Sequence, residues 1–118
     1  MPLVNPDGVM IAKYGLNGTS TNKYIKDIVS KSKKDFSDWK ANGRGVDLNR
    51  NYDTTRKYMT DIISKAGARN YPGLKAFSEP ETQAVKSLCD THDFELVIAY
   101  HTAGEIIYWY FFQEGEQE

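Results

Sequence analysis

Between positions 77 and 112 the sequence changes character twice, and that change limits the folds open to it. FSEPETQAVKSLCDTHD (77–93) carries a helix-start signal, and FELVIAY (94–100) and IIYWYFF (106–112) then follow as nearly unbroken apolar runs. In the first segment Ser78 is placed to cap a helix and Glu81 to reach back to its amide, while Pro80 in the first turn sacrifices no hydrogen bond. Ala84, Val85, Leu88 and Cys89 then form one apolar stripe. The two runs that follow lack the polar alternation of a half-exposed strand, as strands buried on both faces do. Helices interleaved with such runs predict an α/β layer architecture, a mixed central sheet with helices on both faces.

The rest of the chain supplies shorter elements. Residues 1–4 read as the tail of a strand running into Asn5-Pro6-Asp7-Gly8, whose residue types favour a tight turn. GLNGTSTN (15–22) is a polar loop. Tyr24, Ile25, Ile28 and Val29 recur at helical spacing and predict a helix over 23–34. Tyr58, Met59, Ile62 and Ile63 predict another over 54–66, with Gly67 as its stop. With 118 residues the chain makes one domain.

Charge and cysteine content remove several function classes. The net charge is −1, and the single basic cluster, Lys31, Lys33 and Lys34, reads as a solvated helix end, so no nucleic-acid partner is expected. Cys89 is the only cysteine, which excludes an intrachain disulfide and a cysteine-based zinc site. No apolar run reaches the roughly 20 residues of a membrane span, and no signal segment opens the chain. The sequence leaves the compartment open.

Candidate chemistry gathers at two places. His101 stands at the carboxyl end of the first apolar run, the edge at which open α/β sheets bind ligands. A hydrogen-bonded structural histidine and a metal ligand both fit that position. His92 reads as a surface residue favouring a helix C-terminus. In GVDLNRNY (45–52), Arg50 offers a planar fork of donors that matches a carboxylate two bonds at a time, and the amide of Asn49 adds a third donor to the same anion. The plainer alternative pairs Arg50 with Asp47 or Asp53.

Taken in order, NPDG (5–8), WKANGRGVDLNRNY (39–52), FSEPET (77–82) and VIAYHTAGEIIYWY (97–110) resemble the zinc metallocarboxypeptidases, the carboxypeptidase A-like family, over nearly the whole chain. The resemblance implies a partial phosphorylase/hydrolase-like carboxypeptidase fold. It implies that His101 is the third zinc ligand, and that Asn49 and Arg50 grip the terminal carboxylate of a peptide substrate. Lys40 falls where the family usually places an arginine that polarises the scissile carbonyl; lysine keeps the charge but loses the fork, and Arg44 is the alternative if its loop bends inward rather than pairing with Asp47. The lysine makes the motif look like the bacterial cell-wall branch, which cuts γ-D-glutamyl to diamino-acid bonds in peptidoglycan peptides. Keeping Asn49 and Arg50 points instead to a cut near a free carboxylate.

The family's first two zinc ligands, its general-base glutamate and its closing tyrosine have no match in these residues. The chain is therefore expected to be the central portion of one catalytic domain, incomplete at both ends, inactive alone, with the other two zinc ligands absent from it. Uncovered strand edges would favour self-association. The alternative function is a non-catalytic module that holds peptide carboxylates through Asn49 and Arg50.

Overall fold

The computed structural model describes residues 3–19, 23–31, 35–53, 59–101 and 104–107. Among them are three α-helices, α1 (Pro6–Tyr14), α2 (Lys23–Ser30) and α3 (Pro80–Thr91), and two short 3-10 segments, Gly15–Gly18 and Leu48–Arg50.

NPDG opens α1 instead of making a free-standing turn. The Asn5 side chain accepts from the Gly8 amide at 2.9 Å, Pro6 occupies the first helical turn where its missing N–H costs nothing, and Asp7 adds negative charge at the positive end of the helix dipole. The same Asn5 amide group donates to Lys40 O at 3.0 Å and Ala41 O at 3.2 Å, which docks the start of the helix on the 40–41 backbone. Gly8 permits that approach, because a Cβ there would lie 2.6 Å from Ala41 O. At the other end Gly15 takes φ 57° and its N–H closes on Ile11 O.

Helix α2 forms within the span its spacing predicts and buries Val29. Ile11, Val29, Trp39 and Ala41 make the apolar core, flanked by Ala12, Ile25, Ile28, Phe36 and Ala68. Burial of each large aliphatic side chain contributes roughly 1.5–3 kcal/mol. The Trp39 indole N–H donates to Ala41 O at 2.7 Å, so the largest core side chain leaves no polar atom unpaired.

The expected α/β architecture, a mixed sheet with helices on both faces, is overturned: among the described residues there is no strand. The run at 94–100 is irregular and open to solvent, with Leu96 70%, Ile98 62% and Tyr100 92% exposed. Apolar, β-branched composition suits a buried strand, but a strand exists only when a second backbone pairs with it, and no described segment pairs with this one. At 106–107 Ile106 and Ile107 are likewise exposed, and 108–112 lies outside the described residues. Among the described residues there is likewise no strand edge of the kind expected to favour self-association, and the tail of a strand expected at 1–4 is not one at its described residues, 3–4.

Two helix expectations also change. Residues 54–58 lie outside the described residues, and 59–66 is irregular, with Ile62 and Ile63 half exposed. Helix α3 starts with Glu79 as its N-cap and no side-chain cap, because Ser78 turns inward to other partners. Its supposed apolar stripe is half-buried at Val85 and Leu88 and exposed at Ala84 and Cys89; the buried residue of α3 is Thr82. His92 ends the helix as its sequence position suggests, with Nδ1 3.1 Å from Leu88 O.

Candidate functional site

The 3-10 turn Leu48–Arg50 is built from both sides by buried polar groups. Asp47 caps it, one carboxylate oxygen accepting from Asn49 N at 3.1 Å and the other from Asn70 N at 2.9 Å. Asn51 closes it and is fully buried. The Asn51 amide nitrogen faces Pro72 O at 2.9 Å, Lys75 O at 3.1 Å and Ser78 Oγ at 2.9 Å. Its oxygen accepts from Thr82 Oγ1 at 2.6 Å and Glu79 N at 3.3 Å. One asparagine thus ties the turn to 72–78 and to the first turn of α3.

A second asparagine does the same one step earlier. Asn42, 2% exposed, accepts from the amides of Arg44 and Val46 at 3.0 and 3.1 Å, folding the 42–46 loop on itself. Its amide donates to Glu79 Oε2 at 2.9 Å, and Ser78 donates to Glu79 Oε1 at 2.8 Å. Buried carboxylates are tolerable only with such partners. Phe77, between the two halves of the network, takes φ 52°, a left-handed conformation that costs a non-glycine residue of the order of 1 kcal/mol. It is held there by its N–H on Asn51 O at 2.7 Å, by Gln83 Nε2 on its carbonyl at 2.9 Å, and by the Tyr52 ring set edge-on at 5.7 Å.

Against this rigid base the turn presents Asn49, exposed, and Arg50, with a side chain 26% exposed. Arg50 pairs with neither Asp47 nor Asp53. Its Nη2 donates to Asp61 Oδ2 at 3.1 Å, and its Nε is buried with no hydrogen-bond partner among the described residues. The hydrogen bond from Arg50 holds the Asp61 carboxyl below its ordinary value of 3.8. A carboxyl lowered by folding adds stability above its unfolded value and loses it as pH falls through the folded one, so this ion pair is intact at neutral pH and lets go only in acid.

Lys40 belongs to the same assembly through its backbone: Lys40 N and Ala41 N donate to Ala68 O at 2.8 and 2.9 Å, and Asp47 N donates to Tyr71 O at 2.8 Å. The 68–71 segment therefore carries both the Lys40 strip and the Asn49–Arg50 turn, and the Lys40 side chain is exposed. Arg44 does not pair with Asp47; its guanidinium stands 3.9 Å from Glu79 and is mostly in solvent. His101 is exposed on the irregular segment after α3. Among the described residues no three His, Cys, Asp or Glu side chains gather as a metal-binding group. No described helix is long and apolar enough to cross a membrane.

The sequence profile of the zinc carboxypeptidases matches residues 1–118. The chain belongs to the zinc carboxypeptidase family. Among curated proteins, this zinc carboxypeptidase family member is 35% identical over 120 residues to gamma-D-glutamyl-L-diamino acid endopeptidase 1 of Lysinibacillus sphaericus, covering 94% of the chain and 28% of that protein. It is 33% identical over 112 residues to the uncharacterized protein YqgT of Bacillus subtilis, covering 92% of the chain and 29% of that protein. The chain thus spans under a third of the length of the curated relatives it matches. No solved structure matches it significantly.

Sequence reasoning missed Asp61 as the partner of Arg50, because 54–66 was assigned to a helix on which Asp61 would face solvent. It also missed the buried amides of Asn42 and Asn51. Their signal was present: polar residues adjoining apolar ones that pack inward, with Gly43 and Gly45 allowing tight loops around them.

Proposed function

We propose that this chain forms part of the catalytic domain of a zinc-dependent peptidase and supplies the site that holds a free carboxylate of the peptide substrate. Arg50 is the principal anchor, Asn49 adds an exposed amide donor beside it, and Lys40 offers positive charge to the carbonyl that is cut. The observation that carries this reading is the half-used Arg50 fork: Nη2 engaged, Nε buried and unpartnered. A buried donor without an acceptor is costly, and a carboxylate oxygen is the acceptor that geometry suits. The relative whose name specifies a γ-D-glutamyl-L-diamino acid bond supports peptides with a γ-linked glutamyl residue as the substrate class. Such peptides carry free carboxylates beside the bond to be cut. His101 would contribute one zinc ligand, and its partners would come from outside the described residues.

The test is a titration of the isotopically labelled chain with N-acetylglycine, following the Arg50 Nε–H resonance by NMR, against the neutral N-acetylglycinamide. The acid is expected to shift that resonance and the amide is not. In Arg50→Gln, which lacks that resonance and is followed by calorimetry, binding should weaken by about ten-fold or more, the cost of losing a charge-assisted hydrogen bond; equal binding of acid and amide by the wild type would sink the reading.

A second expected result concerns the metal. Calorimetric zinc titration of this chain should show only weak binding, unchanged in His101→Ala, because a catalytic zinc site needs three protein ligands. Tight binding abolished by the substitution would mean that His101 already has ligand partners within these residues.

A further inference from the structure

The carboxylate that Arg50 holds in this structure belongs to the chain itself, and its manner of holding is incomplete. We propose that Asp61 is an internal competitor for the Arg50 site, and that a ligand carboxylate binds by displacing it. The inference rests on Arg50 being the carboxylate anchor and adds what controls access to it.

Three observations support displacement over a fixed structural pair. Among the described residues Asp61 makes a single hydrogen bond to Arg50, Oδ2 to Nη2 at 3.1 Å, where a guanidinium and a carboxylate can make two. The neighbouring donor of the same fork, Nε, is left without a partner although it is buried. An external carboxylate spanning Nε and Nη2 would satisfy both donors, which Asp61 does not. Finally, the Asp61 side chain is 52% exposed against 26% for Arg50, so Asp61 can return to water at small cost while Arg50 stays in place. Asp61 also lies in an irregular stretch; nearby, Ile63 N donates to Asn70 O at 3.0 Å, close to the Asp47 cap of the binding turn.

The chemical consequence is selectivity. A ligand with one anionic oxygen, or with a neutral amide, gains little by exchanging places with Asp61. One with a free carboxylate gains a second bond to the fork. Asp61 therefore raises the threshold for weak anions and keeps the guanidinium paired between ligands.

The experiment compares N-acetylglycine affinity in the wild-type chain, Asp61→Asn and Asp61→Ala, using the Arg50 Nε–H resonance as the readout. Both substitutions are at a half-exposed position and should leave thermal unfolding near that of the wild type. Removal of the competing charge should tighten binding about three-fold, the scale of a partly exposed ion pair, and should let chloride shift the resonance at lower concentration. Unchanged or weaker N-acetylglycine binding in both variants, with the wild type still binding, would overturn the competitor role and leave Arg50 as the anchor. If N-acetylglycine moves the Arg50 resonance in none of the three proteins, the carboxylate-site reading itself fails and the proposal with it.

Discussion

Replacement of Asn51 by alanine is expected to destabilise the chain by about 3 kcal/mol or more, or to prevent folding, even though Asn51 is polar and contributes no apolar core surface. The residue is fully buried. Its amide serves Pro72 O, Lys75 O and Ser78 Oγ, and its oxygen serves Thr82 Oγ1 and Glu79 N. Truncation strands several of these groups away from water, and each buried unsatisfied group costs about 1–3 kcal/mol. Asn51→Asp keeps the shape but turns an acceptor toward the Pro72 and Lys75 carbonyls, so it should fare little better. Urea unfolding followed by circular dichroism measures both. A loss under about 1 kcal/mol for Asn51→Ala would mean that water or local rearrangement replaces the network.

Trp39→Ala should cost about 3–5 kcal/mol, the range for deleting a large buried aromatic. Trp39 is 5% exposed and packs with Ile11, Val29 and Ala41. It joins the two helices at the amino end of the chain to the strip that carries Lys40. Trp39→Phe separates shape from the hydrogen bond: most of the packing remains while Ala41 O loses the indole donor. Its cost should fall to about 1–2 kcal/mol. Equal costs for the two variants in chemical denaturation would mean that the hydrogen bond, not the aromatic volume, dominates at this position.

The sequence was legible where the signal is local and misleading where it depends on a partner. Helix α2 followed from the spacing of Ile25, Ile28 and Val29, and α3 from Pro80 in its first turn, because capping and periodicity are decided within a few residues. The sheet did not follow, because FELVIAY states only that a strand would be stable if paired, and pairing is settled by other segments. NPDG was read as a turn although Asn, Pro and Asp in that order also start a helix; the choice depended on Gly8 fitting against Ala41.

At the site, the motifs announced a constellation but not the division of labour within it. WKANGRGVDLNRNY and FSEPET contain two kinds of residue that look alike on paper. Asn42, Asp47, Asn51, Glu79 and Thr82 turn inward and hold backbone or one another, whereas Lys40 and Asn49 face solvent. Adjacent asparagines flanking Arg50 thus have opposite surroundings, and no composition rule separates them. The short 3-10 turn does, by rotating successive side chains to different sides of the chain.

The buried asparagine network also dictates an order of events during synthesis. Its long-range bonds span 35 to 39 positions between Asn5 or Asn42 and their partners, and 21 to 31 between Asn51 and its own. Contacts that distant must close long loops before they return any stability. A ribosome that has released only the first 70 residues has therefore delivered Arg50 without the scaffold that positions its turn. The turn acquires its shape only when Ser78, Glu79 and Thr82 emerge, in one late step.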